Sequence, residues 1–545
     1  MKTVLLQMTL ALVSCTSVLG QVGLSDAKIK LLDSIVGQDV PDNAPGIATA
    51  IIQNGRVIYE KYAGFADLEV KSPINNATRF NIASNGKQFT ALAILSLVND
   101  KKLKLSDDLR IYFPELYSAL KDEITIRNLL NHTSGIRDCY DLWSLQGYTW
   151  WEKSFNNEDV LRLILNQSEL NFRPGTKYLY SNTNYILLAL IVEKITNRSF
   201  TDYTNEMFNK LNMPNTSFEN NHTKIRGQIA RAYFNFGTWS TYDWIWEVCG
   251  DGNIFSSLKD QINWEQLIQG MGSTKIDRDI IIQGQKPIDL SNFPNYGYGL
   301  EFGSYKGLDY SFHEGATGAW KATVLRFPQQ NISFLTLTNS GKTIPSSQTR
   351  QMVDLILDLD QDKSNYNTTP VGIGKYVSED EILGTYLTEN DFSFTFEKRD
   401  KRVFLKRVGR NDVELVREAD NIFRQKFDPA FKQEFTFNPD GRLMVTAYYT
   451  DHAPYSLIKT NSIQKGYDFK KINGQYFSHE TKTLITISHR EDNVYEVIFR
   501  PDYKTSGLLV SKDKMLVDFY SLEFMDNDIF LNGDRIKKVR YTRIW

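Results

Sequence analysis

The chain has 545 residues, 41% of them apolar and 13% aromatic, which is material for two to four cores and too much for one ordinary domain. A formal net charge of −2 and a pI near 6.4 exclude the electrostatic footprint of a nucleic-acid binder. Charged residues are mixed along the chain, without low-complexity regions or long runs of one sign.

Residues 1–20 read as a targeting segment. Lys2 precedes an apolar stretch from Thr3 to Leu19, and Val18-Leu19-Gly20 offers a cleavage site before Gln21. Leu12-Val13-Ser14-Cys15 also resembles a lipoprotein processing box, with Cys15 as the lipid anchor. The apolar run continues past Cys15, which favours ordinary export to the periplasm or the medium. Beyond the leader only Cys139 and Cys249 remain; they read as buried thiols, with a disulfide as the alternative in an oxidising compartment.

Residues 22–38 have the apolar spacing of an amphipathic helix, and two strands follow at 46–53 and 56–62, joined by the hairpin signal Asn54-Gly55. Residues 79–83 alternate like a short strand. Next comes Ser84-Asn85-Gly86-Lys87, ahead of a helix-like run at 88–98. Residues three apart share a helix face, so Lys87 is expected one turn above Ser84, near a helix N-terminus that favours an attacking alkoxide. A serine hydroxyl needs such a neighbouring base. A lysine with its ordinary pKa near ~10.4 is charged at neutral pH, so a base role requires desolvation or nearby cations.

S-x-x-K alone is weak, and two further stretches add weight. Tyr180-Ser181-Asn182 follows the turn signal Arg173-Pro174-Gly175-Thr176 and opens an apolar helix at 185–195, offering a phenol for proton relay and an amide for a substrate carbonyl. His313-Glu314-Gly315 stands between strand-like residues 310–312 and 322–326, and glycine there lets a substrate backbone lie along a strand edge. Helices dominate between Ser84 and about Val248, and strands return at 298–303, 310–313, 322–326 and 332–338, before a closing helix at 347–359. Strands at both ends with helices between imply an antiparallel sheet beside a helical subdomain, an α+β unit over 21–360. Two stretches, 140–151 and 233–246, are rich in Tyr and Trp without helical periodicity, which fits loops packed on the body.

Residues 361–375 read as a linker, including Thr368-Thr369-Pro370. Beyond it, short alternating strands fall at 383–386, 392–397, 403–407, 433–437 and 442–449. The pattern recurs at 473–476, 484–488, 495–500, 523–531 and 535–543. Two small antiparallel barrels or half-barrels are expected, at 376–460 and 466–545, with no catalytic cluster of their own.

With these motifs in order, the chain resembles the penicillin-recognising serine hydrolases: class C β-lactamases, D-alanyl-D-alanine carboxypeptidases, D-aminopeptidases and related esterases. FNIASNGKQFTA at 80–91, IRNLLNHTSG at 126–135, FRPGTKYLYSNTNY at 172–185 and GDGNIFSSLKD at 250–260 carry the resemblance. It implies a β-lactamase-like fold in which Ser84 is acylated, Lys87 and Tyr180 share proton transfer and Asn182 orients the substrate amide. It further implies an oxyanion hole from the N–H groups of Ser84 and Ala316, with His313 and Gly315 at the substrate edge and the aromatic stretches 140–151 and 233–246 bordering the cleft, where they would wall it for an apolar substrate group. The two C-terminal units resemble the lipocalin-like domains appended to D-aminopeptidases.

Two departures bear on substrate. Gly86 stands where the family often has Ser or Thr, and His313-Glu314 replaces the Lys-Thr that helps hold a substrate carboxylate. That points away from efficient penicillin hydrolysis and towards amides, small peptides or esters, provided strand alternation turns Glu314 away from the cleft.

Competing chemistries find no anchor. Position 317 is Thr, so His313-Glu314 does not open a zinc-protease H-E-x-x-H; Gln88 follows Gly86-Lys87 where a phosphate loop needs a hydroxyl; and no G-x-S-x-G occurs. His132 reads as structural, and His222, His452, His479 and His489 as uninformative. No metal, cofactor or nucleic-acid partner is implied. The expectation is an exported serine hydrolase, a D-amino-acid peptidase or amidase acting on small or cell-wall peptides, with a carboxylesterase, then a β-lactamase, as alternatives. A non-catalytic peptidoglycan- or peptide-binding protein is the alternative of another class.

Overall fold

The computed structural model describes residues 23–149, 151–359, 370, 372, 374–406, 412–429, 431–449, 453–461, 463 and 466–545. The expected leader 1–20 with Cys15, most of the expected linker 361–375, Trp150 and His452 lie outside the described residues.

Ser25 caps the first helix, Asp26–Gly37, by accepting from the Lys28 backbone N–H. The strands Ile47–Gln53 and Arg56–Ala63 then form a hairpin. Asn54 and Gly55 turn it with φ of 52° and 71°, the left-handed pair that Asn-Gly adopts at low cost. Both strands join an antiparallel sheet of eight, in spatial order Pro287–Asp289, Phe293–Gly297, Glu301–Tyr305, Leu308–Thr317, Trp320–Phe327, Ile332–Thr338, Ile47–Gln53, Arg56–Ala63. The chain ends of the body meet at Ile47↔Thr338 through Gln53↔Ile332. The first two strands of that order, at 287–289 and 293–297, extend an edge that the sequence pattern left unassigned.

Helices Asp26–Gly37 and Pro345–Ile356 cover one sheet face, burying Leu32, Val36, Met352 and Val353 against Ile47, Ile51 and Phe334. The helical part covers the other. Its central helix Lys87–Asn99 has ten of thirteen residues buried, so it shows no polar stripe and must lie in the middle of the layer. β structure also lies within and beside the region where helices dominate, and residues 79–81 form the short strand their alternation predicts. Arg79–Asn81, Ile254–Ser257 and Ser217–Phe218 form a small sheet, and the aromatic stretch at 233–246 contains the hairpin Tyr233–Asn235/Trp239–Thr241.

The C-terminal part is two closed antiparallel barrels of eight strands, running from Gly384–Leu387 to Tyr455–Lys459 and from Gly474–Ser478 to Val539–Arg543. Closure is through Tyr386↔Lys459 and Tyr476↔Arg543. Residues 523–531, which alternate like one strand, are the hairpin Tyr520–Met525/Asp528–Asn532 broken at Asp526, whose φ is 53°. The repeat is visible in detail. Tyr386 and Tyr476 each donate a buried hydroxyl hydrogen bond to the carbonyl four residues earlier, Ile382 O and Ile472 O.

The barrels differ in how they are held. The second shares one continuous core with the helical part, including Ile485, Tyr495, Leu531 and Tyr541, while the first keeps its own around Tyr386, Phe396, Phe435 and Val445. Arg137 is fully buried at the seam between body and second barrel, donating to Glu480 Oε2 at 2.8 Å and to the Lys537 and Lys538 carbonyls. The first barrel reaches the second through Asp391, which accepts from Lys514 Nζ at 2.5 Å and from Ser521 Oγ. No helix among the described residues is long and apolar enough to cross a membrane.

A shared core implies shared cooperativity, so calorimetry of the whole protein is expected to show body and second barrel melting together and the first barrel separately. Arg137→Ala leaves Glu480 without its buried partner, a loss of about 3–5 kcal/mol, and should bring the joint transition down without moving the other. Three independent transitions in the unmutated chain would contradict this.

Candidate active site

Ser84 lies on a 3₁₀ turn, Ala83–Gly86, immediately ahead of the helix Lys87–Asn99, at the helix N-terminus as its pattern suggests. In a 3₁₀ turn residues i and i+3 eclipse, so Lys87 stands directly over Ser84. Ala83 has a φ of 48°, unusual for a residue with a Cβ, and its N–H is held by Asn81 Oδ1 at 3.0 Å. A buried network underpins the turn. Arg326 pairs with Glu265 at 2.7 Å and donates to Gln88 Oε1, and Gln88 Nε2 donates to the Asn85 carbonyl.

Lys87 has no exposed surface. Its Nζ lies 3.1 Å from Ser84 Oγ, 2.8 Å from Asn182 Oδ1 and 2.6 Å from the Asp251 carbonyl. As an ammonium it donates to all three; as a neutral amine it donates to Asn182 and Asp251 and accepts the serine proton. Burial pulls its pKa down to about 8, against the pull of the Asp251 and Asp138 carboxylates, which raise it.

Tyr180 sits in extended chain just before the helix Asn182–Thr196, and its hydroxyl is 3.0 Å from Ser84 Oγ. Burial drives its pKa well above the ordinary phenol value, so it is a neutral phenol that donates to the serine while the serine faces the lysine. Asn182 Oδ1 faces Lys87 and its Nδ2 donates to Asp138 Oδ2 at 2.9 Å, which fixes the amide orientation. Asp138 serves two helix starts. Its Oδ1 caps Cys139–Leu145, and its Oδ2 also accepts from the Asn182 backbone N–H at 2.7 Å.

Behind Tyr180 runs a directional chain. The Ser181 N–H donates to His132 Nδ1 at 3.2 Å, so the neutral imidazole carries its proton on Nε2, 3.2 Å from the Tyr296 hydroxyl. That hydroxyl faces His313 Nε2 at 3.3 Å, and His313 Nδ1 donates to the Glu314 carbonyl at 2.8 Å. Desolvation keeps both rings neutral, lowering His132 well below its ordinary value and His313 to about 3. His313 is therefore buried with both nitrogens engaged, and it does not line the cavity beside Ser84. The substrate contact expected of it does not fit that position; it backs Tyr180 through Tyr296.

Glu314 points to the opposite face of the strand and pairs with Arg350 at 3.0 Å, so its charge stays out of the cleft. Pairing of Leu308–Thr317 with its outer neighbour stops at Phe312, opposite Glu301, which leaves the following edge to the nucleophile turn. Gly315 is required there, since a Cβ would fall 2.1 Å from the Ile82 carbonyl oxygen. Ala316 follows and lines the cavity with Ser84.

The cavity over Ser84 measures about 470 Å³. Tyr140, Trp143, Phe155, Trp244 and Trp246 form its apolar wall, with Trp143 and Phe155 stacked at 4.1 Å. Of the two aromatic stretches, 140–151 contributes most of its rings, whereas at 233–246 only Trp244 and Trp246 reach the cavity. Asp251 and Arg535 complete the lining. Sequence reasoning missed Asp138, Asp251 and Arg535. Gly250-Asp251-Gly252 was visible as part of a motif without a role, and Arg535 only as the first residue of an expected strand at 535–543, which in the structure starts later, at Val539. Cys139 and Cys249 are both buried free thiols.

The departure at Gly86 has a packing counterpart, because a Cβ there would lie 2.3 Å from Ile254 Cγ2. Gly86→Ser is expected to lose about 1–3 kcal/mol through overpacking. Joined with Ile254→Ala, it should lose less than the two single changes together, as a double-mutant cycle by chemical denaturation measures.

The family model described as Beta-lactamase matches residues 32–358. Protein flp of Staphylococcus aureus (strain MRSA252) is 28% identical over 378 residues, covering 66% of this chain and 71% of that protein. A D-aminopeptidase of Brucella canis is 29% identical over 313 residues, covering 55% of this chain and 58% of its own length. The octameric penicillin-binding protein homologue from Pyrococcus abyssi superposes with a TM-score of 0.57 at 22% identity, over 79% of this chain and all of that one, a likeness of fold. A family match over more than half of the chain places it in the Beta-lactamase family, among the penicillin-recognising serine hydrolases.

Proposed function

We propose that this protein is an exported serine hydrolase that cleaves amide or ester bonds through a covalent acyl-enzyme, with D-amino-acid amides and short peptides as its substrate class. The observation that carries the reading is the dry lysine: Lys87 Nζ has no solvent contact and lies 3.1 Å from Ser84 Oγ. Neutral Lys87 takes the Ser84 proton as Oγ bonds to the substrate carbonyl carbon. The carbonyl π electrons move onto oxygen, where the N–H groups of Ser84 and Ala316 stabilise the charge. The lysine proton then passes through the Tyr180 hydroxyl to the leaving nitrogen or oxygen, and that bond breaks. Water repeats the sequence on the acyl-enzyme, and Asn182, which lines the cavity, holds the substrate carbonyl group with its second amide hydrogen.

Substrate class rests on charge and shape. No lysine or threonine stands where the family's carboxylate anchor belongs, and the aromatic wall suits an apolar side chain. Asp251 also lines the cavity, an acidic residue whose sign complements a substrate amine. The D-aminopeptidase relative supports the same class.

A panel of D-alanyl and D-phenylalanyl amides, p-nitrophenyl esters and a chromogenic cephalosporin tests the reading. Amide turnover is expected to lead, and dominant cephalosporin turnover would overturn it. Ser84→Ala should lower kcat/KM by about 10³-fold or more and abolish the mass adduct left by a fluorophosphonate. No adduct on the unmutated protein would indicate a non-catalytic peptide binder. Export is tested by the N-terminus of secreted protein, expected at Gln21.

The acid limb follows from Lys87. Its lowered pKa leaves roughly a tenth of the amine neutral at pH 7 and most of it neutral at pH 9, so kcat/KM should climb with pH through a midpoint at about 8. A midpoint near 6 would assign the base to another group.

A further inference from the structure

We propose that Arg535, carried by the second barrel, is a positioning residue of the catalytic site, holding Asp138 so that Asn182 and Lys87 keep the geometry that activates Ser84. The inference rests on the acyl-enzyme reading above and adds to it a part supplied from the far end of the chain.

Arg535 belongs to the loop between the last two strands of the second barrel, Asp528–Asn532 and Val539–Arg543. The loop enters the seam beside the cavity and docks mainly by its backbone. Arg535 N–H donates to Asp141 Oδ2 at 2.9 Å, Asn171 Nδ2 donates to Arg535 O at 3.1 Å, and Lys537 N–H donates to Asn171 Oδ1 at 2.6 Å. The guanidinium is left to do something else. Its Nη2 pairs with Asp141 Oδ1 at 2.7 Å, and its Nη1 lies 3.3 Å from Asp138 Oδ2.

That carboxylate oxygen also receives both hydrogen bonds from Asn182, and Asn182 Oδ1 in turn takes the hydrogen bond from Lys87. Arg535, Asp138, Asn182, Lys87 and Ser84 thus form one unbroken polar path. Asp138 has no exposed surface, and among the described residues the Arg535 guanidinium is the one cation paired directly with its carboxylate.

The electrostatics agree in sign. The ionisable groups around Lys87 are Asp251, Asp138, Cys139, His132, His313, Tyr180, Tyr185 and Arg535. Burial keeps the histidines, the tyrosines and the thiol neutral. The two carboxylates raise the lysine pKa and Arg535 lowers it. Removing Arg535 therefore favours the ammonium, which shrinks the reactive fraction at pH 7 and moves the acid limb to higher pH.

The experiment compares Arg535→Ala and Arg535→Lys with Glu480→Gln, which disturbs the same seam away from the site. Arg535→Ala is expected to lower kcat 10- to 100-fold, with KM changed less, and to shift the limb of kcat/KM above about 8. Arg535→Lys should retain part of the rate, and added guanidinium ion should restore part of it to Arg535→Ala. Glu480→Gln should lower the melting temperature and leave the limb in place. Arg535→Ala that loses only thermal stability, with kcat and limb unchanged, would overturn the proposal. Titration of the Lys87 ζ-nitrogen by NMR separates the two readings. If the unmutated protein forms no Ser84 adduct yet its lysine titration moves with Arg535→Ala, the positioning stands and the hydrolase reading falls. If the titration does not move, the positioning falls.

Discussion

A lysine side chain with no exposed surface, held at 3.1 Å from a serine hydroxyl, is the constraint around which this molecule is arranged. An amine in that position is charged at a cost and neutral at a gain, and the surrounding groups decide the balance. Three oxygen partners, on Ser84, Asn182 and Asp251, come from three separate segments of the helical part. The buried Arg326–Glu265 pair fixes the turn through Gln88, and Gly315 lets a sheet strand close against the same turn. Removing the sheet, the helical layer or the seam would admit water to the amine, and water would return it to an ordinary charged lysine.

Much of this was legible in the residues. Ser84 and Lys87 could be paired by spacing alone, since both α and 3₁₀ turns bring i and i+3 to one side. Asn54-Gly55 announced the hairpin because few other dipeptides accept two left-handed residues. What escaped had a physical reason each time. The strand at 523–531 looked continuous because its hairpin turn at Asp526 is short and flanked by apolar alternation. His313 looked available to substrate because a sequence does not show that Tyr296 would occupy its Nε2. Arg535 lies in a turn far along the chain from Ser84, and neither propensity nor spacing reports contacts across domains.

The two barrels, built from one repeated pattern down to matching tyrosines, have been put to different use. Shared strand order explains their likeness, and surface residues explain their divergence: one presents Glu480, Arg535 and Lys537 to the helical part and merges with its core, whereas the other meets its neighbour through Asp391. A C-terminal β-barrel thereby contributes one side chain, Arg535, to the lining of the cleft. The fold alone would not have required it, and the same architecture can carry unrelated tasks.

The pairing of Ile47–Gln53 with Ile332–Thr338 has a consequence for how the chain comes to be folded. That pairing, between the sixth and seventh strands of the sheet, joins segments separated by nearly the whole body, so ring-closure entropy opposes the contact until almost everything between has been made. Local helices can condense early, yet the layer that seals them is completed late, and in the interim their apolar inner face stays uncovered. Chains of this design spend their assembly in a sticky, half-covered condition in which the rate of sheet closure competes with self-association.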